Sequence, residues 1–138
     1  RAETVAEKPS FARAFQKRRC LIPADGFYEW QKRGKIKIPL RISLKSDQPF
    51  GFAGIYETWS SPDKKPVHSC TIITTESNEL MRPIHDRMPV IVPKDNEALW
   101  LDPDNHHQKE LLSLLKPYPS DEMLMFEVDA KMLQGTQG

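Results

Sequence analysis

The sequence predicts an α+β fold built on a curved, mostly antiparallel β-sheet with a few short helices. Three observations carry this. Apolar residues alternate with polar ones in several short segments, among them 38–45 and 122–128, and a period of two marks a half-buried strand. The chain has 12 prolines and 6 glycines, which argues against long uninterrupted helices and for short strands joined by rigid turns. Convincing helical periodicity is confined to three short stretches, the best of them at 105–116.

The elements follow in order. SFARAFQKRR (10–19) reads as a short helix, with Ser10 as N-cap and Phe11, Ala14 and Phe15 on one face. CLIPADGFYEWQKRG carries two short strands around Pro23 to Gly26, then a turn at Lys32–Gly34. IPLRISLK (38–45) is a half-buried strand. PFGFAGIYETW (49–59) is aromatic and β-branched with two interior glycines, so it is a strand with a bulge or a close backbone approach. SSPDKKP (60–66) is a loop and HSCTIITT (68–75) a strand. ESNELMRPIHD (76–86) is a short helix or turn that Pro83 stops. RMPVIVP (87–93) is a strand and DNEALWLD (95–102) a short helix with an Asp N-cap. NHHQKELLSLLK (105–116) places its leucines on one side as core, and EMLMFEV (122–128) is a closing strand.

Composition excludes several classes. A chain of 138 residues with 38% hydrophobic residues fits one folded domain and is too apolar for disorder. No apolar run reaches the roughly 18–20 residues of a membrane span. The opening RAETVAEKPS has no apolar signal region. Cys20 and Cys70 are far apart and form no C-x-x-C, so neither a zinc cage nor a disulfide framework is indicated. Both read as buried small hydrophobes, and reduced thiols suit a cytoplasmic setting. Charge is uneven: residues 1–45 hold 12 basic and 4 acidic residues, and 46–138 hold 8 and 15. Such asymmetry hints at a nucleic-acid-facing surface. Arg13 with Lys17–Arg19 is either part of that surface or a solvated helix face, the commoner case. Residue 1 is an Arg rather than an initiator Met, so the numbering is expected to begin inside a longer or processed protein.

Two clusters could carry chemistry. In GFYEW (26–30), Glu29 stands between Tyr28 and Trp30. Flanking aromatics would desolvate the carboxylate and suit it to general acid–base work. The plainer reading has Glu29 facing solvent while both aromatics point inward. In PIHDRMPV (83–90), His85, Asp86 and Arg87 stand between two prolines that fix the backbone. An imidazole beside a guanidinium could act on a phosphate-bearing or carbonyl substrate, or the segment could be a charged surface turn. TTESN (74–78) offers hydroxyls for a phosphate or for capping the next turn. His106 and His107 are adjacent on a helix and do not face each other, so no metal site is expected there.

RAET (1–4), RRCLIPADGFYEW (18–30), FAGIYETW (52–59), CTIITTESN (70–78) and IHDRMPVIV (84–92) together resemble the SOS response-associated peptidase (SRAP) family, over nearly the whole chain and in order. From about Glu127 onward the sequence departs from the usual family ending. The resemblance implies a barrel-like SRAP fold, of which residues 1–138 would form roughly the C-terminal two-thirds. It implies a protein that shields abasic sites in single-stranded DNA by cross-linking to them covalently, as a monomer, without a cofactor and without a membrane. The nucleophile in the family is an N-terminal cysteine, which closes a thiazolidine on the opened sugar. That cysteine and a catalytic Asn before RAET are expected upstream of Arg1, since Cys20 and Cys70 are internal. By resemblance, Glu29 and His85 are the catalytic glutamate and histidine. Arg1 and Arg87 match arginines that grip backbone phosphates, and Thr74 a hydroxyl near the same phosphates. A thiol (auto)peptidase and a non-catalytic single-stranded DNA-binding module stay open as alternatives.

Overall fold

The computed structural model describes residues 1–134. The first eight residues coil in turns, with the Val5 N–H bonded to the Arg1 carbonyl at 2.9 Å. Helix α1 follows at Pro9–Lys17. It begins earlier than expected, and Ser10 is not its cap. Lys8 is the N-cap residue, without a side-chain bond, and Pro9 at the first position presets the helical φ. Arg18 leaves the helical region (φ −134°, ψ 57°), so Arg19 already belongs to the next element.

Strands β1 (Arg19–Ala24), β2 (Phe27–Arg33), β3 (Ile36–Leu44), β4 (Phe50–Ser60) and β5 (Pro66–Ile72) come next. Gly34, at φ 63°, turns β2 into β3. Then come β6 (Thr74–Glu76), β7 (Arg87–Pro89), β8 (Ile91–Val92), a 3₁₀ turn at Lys94–Asn96, α2 (Glu97–Leu101) and α3 (Gln108–Ser113). A 3₁₀ turn at Ser120–Glu122 leads to β9 (Met123–Glu127) and α4 (Ala130–Gln134). All pairings are antiparallel. β1, β4 and β5 form one sheet with β8 also on β4, β2–β3–β9 a second, and β6–β7 a third. The expected α+β class and antiparallel sheets are therefore present.

Two expected strands are each split. Residues 68–75 divide at Ile73 and 87–93 at Val90. At these points the chain steps from one sheet to another around a backbone junction. Ile73 N–H bonds to Ala53 O, Ala53 N–H to Val90 O, and Val90 N–H to Ile73 O, each at 2.9 Å. All three residues are fully buried, so these bonds satisfy groups that water cannot reach. The β4 glycines mark a close approach rather than a bulge, because the register with β1 is unbroken. A Cβ on Gly54 would lie 2.8 Å from Ile22 Cδ1 and 3.0 Å from Cys20 Sγ.

Strand β4 divides two hydrophobic clusters, and this explains its near-continuous burial from Phe50 to Ile55. Ala53 and Ile55 face a cluster with Phe15, Trp100, Leu111, Leu114 and Leu115. Phe50 and Phe52 face the other, with Leu40, Ile42, Met81, Met88, Ile91 and Met123. The leucine stripe is core, as its spacing predicts, but α3 is shorter than 105–116. Buried Asn105 instead accepts the His107 N–H at 3.0 Å and shapes the turn before the helix.

Arg19 corrects the reading of the basic run as a solvated face. Its guanidinium is buried and donates to the carbonyls of Phe15, Gln16, Trp100, Asp102 and Asn105 at 2.6–3.0 Å. It also stands 5.6 Å over the Trp100 ring. Four of those carbonyls come from the ends of α1 and α2, where the backbone presents partial negative charge, and the fifth, Asn105, from the turn after α2. Cys70 is likewise not buried. It is exposed because β5 is an outer strand with little packed on either side, while Cys20 is half-buried.

Candidate functional site

The segment between β6 and β7 is pinned by two side chains of TTESN. Ser77 Oγ donates to the His85 carbonyl at 2.6 Å. Asn78 Oδ1 accepts the Met81 N–H at 3.0 Å, and Asn78 Nδ2 donates to the Tyr118 carbonyl at 2.7 Å. Met81, fully buried, anchors the turn in the second core cluster. The hydroxyl and amide at 77–78 thus cap the turn, one of the two roles read from their sequence.

His85 emerges from this turn exposed. Its Nδ1 accepts the Arg87 backbone N–H at 3.0 Å, and the Asp86 carboxylate lies 3.3 Å from the same nitrogen. The Arg87 carbonyl is 3.2 Å from the same nitrogen, so Nδ1 can accept from the Arg87 N–H or, in the other tautomer, donate to that carbonyl or to Asp86. Arg87 and Thr74 share one face of the β6–β7 ladder, where Thr74 pairs with Pro89 and Glu76 with Arg87. Arg87 Nη2 donates to Thr74 O at 2.9 Å and to Thr74 Oγ1 at 3.3 Å. Its Nη1 lies 2.9 Å from Glu3 Oε2. The hydrogen bond from Arg87 is the main reason the Glu3 carboxyl lies below its ordinary range, despite an opposing effect of burial. Arg87 Nε is buried with no acceptor.

Arg1 joins this cluster through its neighbour. Ala2 is buried, and its N–H bonds to the Thr74 carbonyl at 2.8 Å, the carbonyl that Arg87 also uses. The turn at 1–5 therefore docks the exposed Arg1 beside β6. Four of the five residues singled out from sequence, Arg1, Thr74, His85 and Arg87, gather in one place. Glu3 was not singled out, although it lies within RAET.

Glu29 stands elsewhere on the same framework. It is half-buried on β2, opposite Leu40, and enters none of the ion pairs among the described residues. Neither sequence reading of its neighbours holds. Tyr28 and Trp30 are 45% and 48% exposed, so they neither cover Glu29 nor fill the core. Alternation along β2 instead sends Phe27 and Glu29 to the inner face. Phe27, two residues before Glu29, and Ile84, one before His85, pack against the same core cluster. One strand of the second sheet and the turn that carries His85 thus meet at a common apolar cluster through Phe27 and Ile84.

Three arginines of the early basic block are paired internally: Arg18 with Glu57, Arg33 with Glu127, and Arg41 with Asp25. Burial, with Cys70 adding to it, pushes the Cys20 thiol up. Among the described residues no group of three or more His, Cys, Asp or Glu is placed to hold a metal ion, and no helix is long and apolar enough to cross a membrane.

A family model described as SOS response associated peptidase (SRAP) matches residues 1–134. The chain belongs to the SRAP family. That match runs past Glu127, where a departure from the usual family ending is expected, to residue 134. The chain is 53% identical over 131 residues to the abasic site processing protein YoqW of Bacillus subtilis, covering 94% of this chain and 58% of YoqW. It is 33% identical over 137 residues to the abasic site processing protein HMCES of Xenopus tropicalis, covering 85% of this chain and 41% of the relative. Among solved structures, a protein from Bacteroides thetaiotaomicron superposes with a TM-score of 0.93 at 35% identity, over 98% of this chain and 60% of that one. A protein from Bordetella bronchiseptica gives 0.84 at 28% identity, covering 94% of this chain and 64% of its own. The chain spans less than two-thirds of the length of each of these relatives.

Proposed function

We propose that this chain is the larger part of an SRAP domain that senses abasic sites in single-stranded DNA and shields them by covalent cross-linking. The observation that carries the reading is the joined cluster of Thr74, His85 and Arg87, with Arg1 docked against it through Ala2. It combines an exposed imidazole with guanidinium groups suited to a phosphodiester. The names of YoqW and HMCES as abasic site processing proteins support the same chemistry.

An abasic site opens to an aldehyde. An α-amine has a pKa near 8 and is substantially neutral at physiological pH. Its attack on the aldehyde gives a carbinolamine, which loses water to form an imine. A thiol on the same residue then adds across the C=N bond, its proton passing to nitrogen, and closes a thiazolidine. Cys20 and Cys70 are internal and carry no free α-amine, so neither is assigned the aminothiol role. Within this chain Glu29 takes the role of moving protons during sugar opening and dehydration. His85 acts as a proton donor at the sugar oxygen. Arg1, Arg87 and Thr74 hold the backbone around the lesion.

Single-stranded DNA as the partner, a monomeric state and a DNA-associated cytoplasmic location belong to this same reading. So does its placement among enzymes: a lyase-like, cross-link-forming protein whose family also carries a peptidase name. The test is to incubate the full-length protein with an abasic single-stranded oligonucleotide and look for an adduct that survives denaturation. Loss of that adduct on replacing the N-terminal cysteine is expected. An adduct that persists would point to another nucleophile and overturn the assignment.

A further inference from the structure

We propose that Glu3 is an internal counter-anion for Arg87, a carboxylate that occupies the guanidinium in the DNA-free protein and gives way to a phosphodiester when DNA binds. This rests on the DNA-binding role proposed above for Arg87 and adds a residue that sets its specificity for phosphate.

Three features of the cluster carry it. First, the guanidinium is held from two sides of different character. Thr74 holds Nη2 with its carbonyl and hydroxyl, and both groups belong to the β6–β7 framework. Glu3 holds Nη1 alone, from the turn at residues 1–5. The Arg87 side chain is 17% exposed and the Glu3 side chain 51%. The carboxylate is therefore the solvent-side partner, and it can leave without disturbing the bonds to Thr74.

Second, the ties to Arg87 are incomplete. Nε is buried and has no acceptor. A purely structural arginine at this depth would be expected to have its donors met, as Arg19 shows with five carbonyls on its guanidinium. Arg87 keeps one unmet donor, so its present partners do not satisfy the whole guanidinium.

Third, the charges compete. A phosphate that reaches Nη1 arrives where Glu3 Oε2 now stands, at 2.9 Å. Two anions on one guanidinium repel each other, so DNA binding at Arg87 requires Glu3 to turn away. Thr74 Oγ1 accepts from Arg87 and keeps its own hydrogen free to donate to the incoming phosphate. Glu3 thereby weakens binding to any backbone that does not fully engage Arg87.

The test is equilibrium binding of the full-length protein to an undamaged, fluorescently labelled oligo-dT across a NaCl series. The wild type is compared with Glu3→Gln and, as a second variant, Glu3→Ala. A melting curve for each variant confirms folding. Removing the counter-anion should tighten binding by about threefold or more at low salt. It should also steepen the salt dependence by up to about 0.7 in log–log slope, the contribution of one freed phosphate contact on a single strand. Equal or weaker binding by both folded variants overturns the inference and leaves Glu3 as a positioning residue for Arg87. If the wild type fails to bind at any salt, the DNA-binding reading itself falls, a result separable from the first.

Discussion

Arg19 ties α1 to α2 through its buried guanidinium. It forms no salt bridge among the described residues, and five backbone carbonyls supply most of the compensation. Arg19→Met keeps much of the volume but strands these acceptors, and should lower unfolding stability by about 3 kcal/mol or more. A urea titration showing a loss below about 0.5 kcal/mol, the range of surface substitutions, would contradict this. The cysteines give a second test. With its thiol half-buried and pushed up, Cys20 should react with iodoacetamide well after exposed Cys70; mass spectrometry of peptides from a timed reaction reads the order. For Glu3, the carboxyl is lower in the folded state than in the unfolded chain. Its stabilising effect is therefore fully present above the ordinary carboxylate pKa and is lost as pH falls through the lower, folded value. Glu3→Gln should flatten that part of the acid limb of a stability–pH curve, and an unchanged limb would show that the pair adds nothing. None of these roles could be read from residue type. Arg19 sits within a run of basic residues that looks solvated, and Glu3 has no local pattern around it. Glu3 and three of the five Arg19 contacts depend on partners more than 80 positions away.

At the scale of elements, periodicity located most of the strands and the leucine core, because alternation reports directly which side is buried. It failed where one apolar run serves two sheets. Ile73 and Val90 look like ordinary strand interiors, and only the backbone junction with Ala53 reveals the steps. Alternation also does not say which face of a strand is inner. On β2 the face of Phe27 and Glu29 turned inward, and Tyr28 and Trp30 outward. The interior glycine of β4 was legible as a close approach, and it yields a prediction. Gly54→Val would drive a side chain into Ile22 and Cys20, costing about 1–3 kcal/mol as an overpacked contact. The shift in thermal midpoint measures it, and a variant as stable as the wild type would mean that β1 yields freely. Asn78→Ala should release the turn that carries His85. With the Met81 N–H and the Tyr118 carbonyl left unpaired, the expected loss is about 1–3 kcal/mol.

Over the whole molecule, the charge asymmetry of the sequence proves a poor guide to the site. Most early arginines pair within the fold or, like Arg19, lie buried, whereas Arg87 comes from the acidic half. What assembles the candidate site is topology. The β6–β7 ladder brings Thr74 to Arg87, the pinned turn presents His85, and the N-terminal turn docks against β6. Glu29 stands on a different sheet, whose Phe27 shares an apolar cluster with Ile84. Sequence motifs named these residues, but only the fold shows that four of them form one group. The central claim is that this group serves covalent capture of abasic DNA. The most direct measurement is a denaturing gel of the full-length protein with an abasic single-stranded oligonucleotide, run beside Glu29→Ala and His85→Ala. The account predicts a stable adduct with the wild type that forms at least about tenfold more slowly in each variant, within the range expected for losing a general acid or base. No adduct with the wild type, or equal rates in all three proteins, would contradict it.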